Sequence, residues 1–250
     1  MDEHILATSG LTKEFRGFAA VRGGDRNVRR GASHALIGPN GAGKTTVFNL
    51  LTKFLEPTAG HIVFLGRDIT AAHPADVARL GMVRSFQISA VFPHLSVREN
   101  VRLALQRPLG TSFHFWRSGK SLDALDEAVE RVLDDVGILG ERDALAVELP
   151  YGRKRALEFA TTLALSPELM LLDEPMSGLG TEDVSRISAL IRRAAQQCTV
   201  LMVEHNLSVV ADLSHTITVL TRGRVLAEGS YAEVSENPDV RQAYLGTGHA

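Results

Sequence analysis

Cysteine is almost missing from this chain. The single thiol, Cys198, excludes any internal disulfide and fits a reducing compartment. Long apolar runs are missing too. No stretch approaches the roughly 18–20 consecutive apolar residues of a membrane span, so the chain is expected not to cross a membrane by itself. The opening Met1-Asp2-Glu3-His4 is acidic where a secretory signal is basic, and no apolar segment follows. An excess of one charge is absent: 27 Lys and Arg stand against 29 Asp and Glu, for a net charge of −2. Without a basic field, nucleic acid is not expected as the main partner. There is no internal repeat and no low-complexity linker, and the histidines show no metal-ligand spacing. What remains is ordinary: 250 residues, 44% hydrophobic and 22% charged, a globular composition long enough for one large domain or a core with a subdomain.

The order of patterns along the chain is informative. Residues 5–11, 33–37 and 61–65 read as short strands bounded by glycines and polar residues, and 82–86 as a further candidate. Residues 44–53 read as a helix opening out of a glycine loop, and 77–80 as a short helical piece. The middle is helical by pattern at 97–106, 122–136 and 153–165. In the second of these, Leu122, Leu125, Val129, Val132, Leu133 and Val136 recur at spacings of three and four. The last third alternates again, with buried-strand runs at 169–172, 199–203 and 216–220 and a helix at 182–197. Such alternation predicts an α/β fold with a mostly parallel sheet. The helical middle predicts an inserted subdomain over about residues 87–165, with 1–86 and 166–250 forming the core of a single domain.

Gly38-Pro39-Asn40-Gly41-Ala42-Gly43-Lys44-Thr45 matches the Walker A phosphate-loop pattern in full. Its glycines permit backbone angles that other residues resist and let amide N–H groups face an anion. The following helix points its positive dipole end at the phosphates. Lys44 can reach the β and γ phosphates, and the Thr45 hydroxyl can coordinate Mg²⁺, with Thr46 beside it in the binding set. The context agrees: the apolar run Ala35-Leu36-Ile37 precedes the loop and a helix follows.

Leu169-Met170-Leu171-Leu172-Asp173-Glu174 is a buried-strand run ending in two acids. By itself this is more often a strand reaching the surface. Beside a full phosphate loop it reads as a Walker B segment, with Asp173 on Mg²⁺ and Glu174 orienting or deprotonating the attacking water. A glutamate directly after the magnesium aspartate favours hydrolysis over phosphoryl transfer to a bound substrate.

With these motifs, Leu149-Pro150-Tyr151-Gly152, Asp173-Glu174-Pro175 and Glu204-His205 in this order, the chain resembles the ATP-binding-cassette (ABC) ATPases. More narrowly it resembles the ATP-binding subunits of branched-chain amino acid importers. Residues 38–49, Arg84-Ser85-Phe86-Gln87, Glu204-His205-Asn206 and the tail around Asn237-Pro238-Asp239-Val240 carry the likeness, which covers nearly the whole chain. The resemblance implies a P-loop NTPase (RecA-like) core with N-terminal antiparallel strands, ATP and Mg²⁺ as ligands, and catalytic roles for Lys44, Gln87, Glu174 and His205. Gln87 would also contact Mg²⁺ and sense a membrane partner, and His205 would hydrogen-bond the γ-phosphate. Phe15 falls where the family stacks an aromatic on adenine, although a phenylalanine near a strand is more often core.

The chain departs from the family signature, Leu-Ser-Gly-Gly-Gln or a near variant. Leu149, Pro150, Tyr151 and Gly152 occupy the signature place, and Pro150 offers neither hydroxyl nor N–H. Arg153 is a candidate to supply positive charge there instead. Gly180 stands where the family has Asp or Asn. The resemblance implies a head-to-tail pair with a second ABC ATPase subunit, expected to be a different chain; if that partner carries an intact signature, the departure at Pro150 predicts that the ATP facing Pro150 turns over slowly. It also implies transmembrane permease subunits docking near residues 88–95, a solute-binding protein, and a peripheral location on the cytoplasmic side of the inner membrane. The aromatic stretch Phe113-His114-Phe115-Trp116 reads as a surface loop, or as a lipid or partner contact. A weak or regulatory ATPase with a degenerate signature is the alternative reading. A soluble ABC ATPase of translation or repair, and a P-loop kinase, fit less well.

Overall fold

A computed structural model of the chain describes residues 3–85, 91–106 and 119–245, with backbone alone at 119–124 and 244–245. Gln87, residues 88–90 of the expected docking segment and the aromatic stretch at 113–116 therefore lie outside the described residues. The chain forms two compact units. The first comprises Met1–Arg84, Glu168–Pro175 and Ala195–Ala250, and the second Ser85–Pro167 and Met176–Ala194.

The first unit opens with a hairpin of β1 (His4–Phe15) and β2 (Phe18–Arg29). Strand β3 (Ser33–Ile37) runs into the glycine loop, and α1 (Lys44–Leu51) leaves it. Then come β4 (Ala59–Phe64), β5 (Arg67–Asp68), α2 (Pro74–Arg79) and β6 (Met82–Ser85). The second unit holds α3 (Val97–Gln106), α4 (Gly119–Asp135) and α5 (Tyr151–Ala164). The chain returns through β7 (Leu169–Asp173), contributes α6 (Thr181–Ala194) to the second unit, and finishes in the first. The closing elements are β8 (Thr199–Val203), α7 (Leu207–Leu213), β9 (Thr216–Thr221), β10 (Arg224–Gly229), α8 (Tyr231–Glu236) and α9 (Pro238–Leu245).

Two sheets organise the first unit. One is antiparallel, in the order β2-β1-β4-β5; the other runs β10-β9-β3-β8-β7-β6. In the second, β3 pairs in parallel with both β8 and β9, β7 pairs in parallel with β8, and β10 turns back antiparallel to β9. Every residue of β3, β7 and β8 is buried, which is why β7, β8 and the second half of β3 carry apolar runs rather than alternations. Phe48, Leu50 and Leu51 of α1 pack with Ile5, Leu11, Ile62 and Phe64 in the core. Burial of each such side chain contributes about 1.5–3 kcal/mol. In the second unit, α3 packs on α4 and α5, burying Val101, Val129, Leu133, Leu157 and Ala160.

The α/β architecture, the antiparallel N-terminal strands and the mostly parallel sheet are as expected. Residue patterns alone missed β2. Its buried positions are Val21, Gly24, Arg26 and Val28, so a period of two holds only from Gly24 onward, and two of the four carry apolar side chains. Helix α1 stops short of the expected Lys53, which instead takes a left-handed turn at φ 63°.

Candidate functional site

The phosphate loop is held from below by β3, wedged between two parallel neighbours. Gly38 sits at φ 150°, and a side chain there would lie 2.2 Å from the Leu220 carbonyl oxygen of β9. Gly41, at φ 78°, faces open space. At the first position of α1, Lys44 is 6% exposed. Its ammonium donates to the carbonyls of Gly38 at 2.7 Å and Pro39 at 3.1 Å. Burial pulls the Lys44 pKa below that of an ordinary lysine, while the charges of Glu174 and then Asp173 oppose the shift. Thr45 is exposed and Thr46 half-buried on the same turn.

Strands β7 and β8 bring the remaining groups to this end of the sheet. Their register sets Asp173 opposite Val203, so Glu174 and Glu204-His205 emerge side by side. Glu174 N donates to Val203 O at 2.9 Å, and Glu174 takes a left-handed φ of 48°. His205 Nε2 lies 2.8 Å from Glu174 Oε1. With Glu174 ionised, that nitrogen must carry the proton, since two acceptors cannot bond. The buried Glu204 carboxylate accepts from the backbone N–H of His205 at 3.0 Å. Asn206 then caps α7, its Oδ1 accepting from Ser208 N at 3.1 Å and Val209 N at 3.3 Å.

Asp173 is 3% exposed and pairs through Oδ2 with Arg84 Nη2, while Arg84 Nη1 donates to Asn49 Oδ1 at 2.6 Å. Its other oxygen, Oδ1, is buried without a hydrogen-bond partner among the described residues. No cluster of three His, Cys, Asp or Glu among the described residues is fit to hold a metal. A divalent cation would therefore have to bring its own oxygens, as Mg²⁺ does with nucleotide phosphates. The orphaned Oδ1 and the exposed Thr45 hydroxyl fit such an ion.

Phe15 stands at the end of β1, 43% exposed as a residue, with the Lys13 ammonium 5.2 Å from its ring centroid. The exposure argues against the core role weighed for it. The hairpin that presents Phe15 borders the loop, since a side chain on Gly43 would lie 2.5 Å from Ala20 O of β2.

The segment Leu149–Gly152 belongs to the second unit. Leu149 is buried, and Pro150, exposed at φ −57° and ψ 156°, is the N-cap of α5 without a side-chain cap bond. Tyr151 donates its hydroxyl to Ser177 O at 3.1 Å. Gly152 admits no side chain, because the Asp183 carboxylate would lie 2.4 Å from it. Arg153, the candidate to supply charge there, is turned to its own unit. Its guanidinium donates to Gly137 O at 2.6 Å and pairs with Glu141 at 3.2 Å.

Thus Lys44, Thr45, Asp173, Glu174 and His205 gather at one end of the six-stranded sheet. Sequence reasoning quoted Arg84 and Asn49 only as parts of motifs and gave them no task. A long basic side chain on a short strand two positions past buried Met82 was the available signal.

Residues 22–177 match the family described as ABC transporter. The chain belongs to the ABC transporter family. Residues 224–250 of this ABC transporter chain also match a family described as branched-chain amino acid ATP-binding cassette transporter. The chain is 38% identical to the high-affinity branched-chain amino acid transport ATP-binding protein BraF of Pseudomonas aeruginosa, over 98% of this chain and 99% of that protein. It is 35% identical to the corresponding protein LivG of Escherichia coli, at the same coverage. Among solved structures, an ATP-binding cassette of an ABC transporter in its ADP conformation matches with a TM-score of 0.83 and 28% identity, over 98% of this chain and all of the other. As an ABC cassette the chain is a transport-type ATP hydrolase. Among the described residues no helix is long and apolar enough to cross a membrane.

Proposed function

We propose that this chain binds ATP with Mg²⁺ at Lys44 and hydrolyses it to power uptake of branched-chain amino acids, or a related small polar solute, through separate membrane permease subunits. The observation that carries the reading is the Glu174–His205 pair at 2.8 Å, in the same electrostatic field as the buried Lys44. The relatives named for branched-chain amino acid transport support the solute class.

In this reading Lys44 exchanges the carbonyls of Gly38 and Pro39 for phosphate oxygens, a gain in charge-assisted bonding for a buried ammonium. Glu174 orients the attacking water and accepts its proton, and His205 holds the glutamate and then the γ-phosphate. Bound Mg²⁺ supplies charge neutralisation on the phosphates, with Thr45, Asp173 and Gln87 as the residues to hold it. Phe15 offers its exposed ring to the adenine. Leu149, Pro150, Tyr151 and Gly152 serve the ATP of a second ABC subunit in a head-to-tail pair. The chain works peripherally on the cytoplasmic face of the membrane, fed by a solute-binding protein. Retention of Glu174 beside His205 favours full hydrolysis over a weak or regulatory ATPase, and the relatives lend that alternative no support.

The test is the ATPase rate of the assembled transporter with Glu174→Gln. A general base is worth about 10²–10⁴ in rate, so the variant should lose at least about 100-fold while still binding ATP. A variant that kept a tenth of the wild-type rate would sink the assignment. Proteoliposomes should take up labelled leucine only when ATP is inside, and failure of that uptake with an active ATPase would overturn the solute class alone.

A further inference from the structure

We infer that Arg84 is a positioning residue for Asp173: it grips one oxygen of that carboxylate, leaves the other for the divalent cation, and thereby sets the Mg²⁺ affinity of the nucleotide site. The inference rests on the reading of Asp173 as the Mg²⁺ carboxylate. Arg84 and Asp173 form an ion pair whose side chains are 8% and 3% exposed, on strands β6 and β7 of one sheet. A guanidinium presents its donors as a rigid fork. Here one tooth takes Asp173 Oδ2 and the other takes Asn49 Oδ1 at 2.6 Å. The Phe48 ring lies under the guanidinium, 5.5 Å from centroid to Cζ.

Phe48 and Asn49 both belong to α1, the helix whose first residues are Lys44 and Thr45. One helix therefore places the phosphate lysine, the cation-facing hydroxyl and, through Arg84, the carboxylate. With its fork engaged on both sides, Arg84 cannot swing over to cover Oδ1 without giving up Asn49. Oδ1 is left buried and unpartnered among the described residues, a costly state that a cation or its water relieves. Pure charge repulsion makes the opposite forecast, since a nearby guanidinium disfavours Mg²⁺. The clamp by Asn49 and Phe48 is what decides for positioning, because a mere counter-charge has no need of a fixed orientation.

The experiment titrates Mg²⁺ against binding of trinitrophenyl-ATP to the full chain, for wild type, Arg84→Met, Arg84→Lys, Asn49→Ala and the control Asp173→Asn. Loss of a group that orients a metal ligand typically lowers metal affinity by about 10–100-fold. Arg84→Met should raise the half-saturating Mg²⁺ concentration about tenfold, with Mg²⁺-free binding within about twofold of wild type. Arg84→Lys, which keeps the charge and loses the fork, should recover little of the shift, and Asn49→Ala should show a smaller one in the same direction. An unchanged or lowered half-saturation in Arg84→Met overturns the inference, as does equal weakening with and without Mg²⁺, which marks a structural role. Should Arg84→Met fail to fold by circular dichroism, Asn49→Ala decides, and no shift in it overturns the inference. If Asp173→Asn itself keeps wild-type Mg²⁺ dependence, the reading of the site has failed and the inference goes with it.

Discussion

Two glycines of the phosphate loop should respond very differently to the same substitution. Gly41→Ala places a methyl in open space, so its cost is the strain of φ 78° alone. That strain is about 1–2 kcal/mol, partly offset by the roughly 0.4–1 kcal/mol that alanine takes from the entropy of the unfolded chain. A net loss of about 1 kcal/mol lowers the melting temperature by about 2–4 °C in a chain of this size. Gly38→Ala meets a harder obstacle. At φ 150° its methyl lies 2.2 Å from Leu220 O, more than 1 Å inside van der Waals contact. That oxygen is backbone of β9, which pairs with β3 immediately below the loop, Ile37 opposite Val219. The strands must part or the loop must be rebuilt. Strain of about 1–3 kcal/mol plus overpacking of about 1–3 kcal/mol gives roughly 2–6 kcal/mol, or about 4–24 °C. Differential scanning fluorimetry of both variants without nucleotide measures the contrast. Equal shifts, or a smaller shift for Gly38→Ala, would falsify the claim that the sheet beneath, rather than φ alone, dictates the first glycine.

Cys198 should be inert to Ellman's reagent in the folded chain, because burial pushes its pKa up to about 11 and suppresses the thiolate roughly 100-fold against an ordinary cysteine near 9. The same shift costs stability only on the alkaline side: the unfolded thiol ionises first, so unfolding gains as pH rises from about 9 to about 11 and is unaffected below. Glu158→Ala removes one partner, at 2.8 Å, of the buried Arg155 within α5 and should cost about 1–3 kcal/mol in urea denaturation, Tyr151 remaining beside the guanidinium; a loss under about 0.5 kcal/mol would count against a buried ion pair there. Asn206→Ala removes the cap of α7 and should cost about 1 kcal/mol, leaving nucleotide affinity within about twofold, as checked by thermal melting and trinitrophenyl-ATP binding.

Legibility in the sequence followed the physics of burial. Strands β3 and β8 and helix α3 run as their apolar patterns dictate, because each is buried on a period that side chains can report. Strand β2 escaped because glycine and arginine occupy half of its buried positions, where hydrophobicity carries no signal. The candidate site was readable from the residues where spacing fixes chemistry, in the loop and the Asp173-Glu174 pair, whereas His205 came from the family resemblance alone. It was silent where chemistry depends on which side chain crosses to another strand. Nothing local to Arg84 announces Asn49 and Asp173, which lie 35 and 89 residues away along the chain. Nor could the sequence show that Arg153 pairs with Glu141.

With Glu174 in its proposed role, its left-handed backbone sets folding and chemistry at odds at one position. A residue without a β-carbon, or asparagine, suits that torsion better than glutamate does, and the site keeps the glutamate all the same. Thermal resistance is then a poor guide to fitness here. A library enriched by heat challenge alone would drift toward glycine or asparagine at 174 and collect sturdy, nucleotide-binding, silent proteins. Only a selection that counts turnovers would hold the strained residue in place.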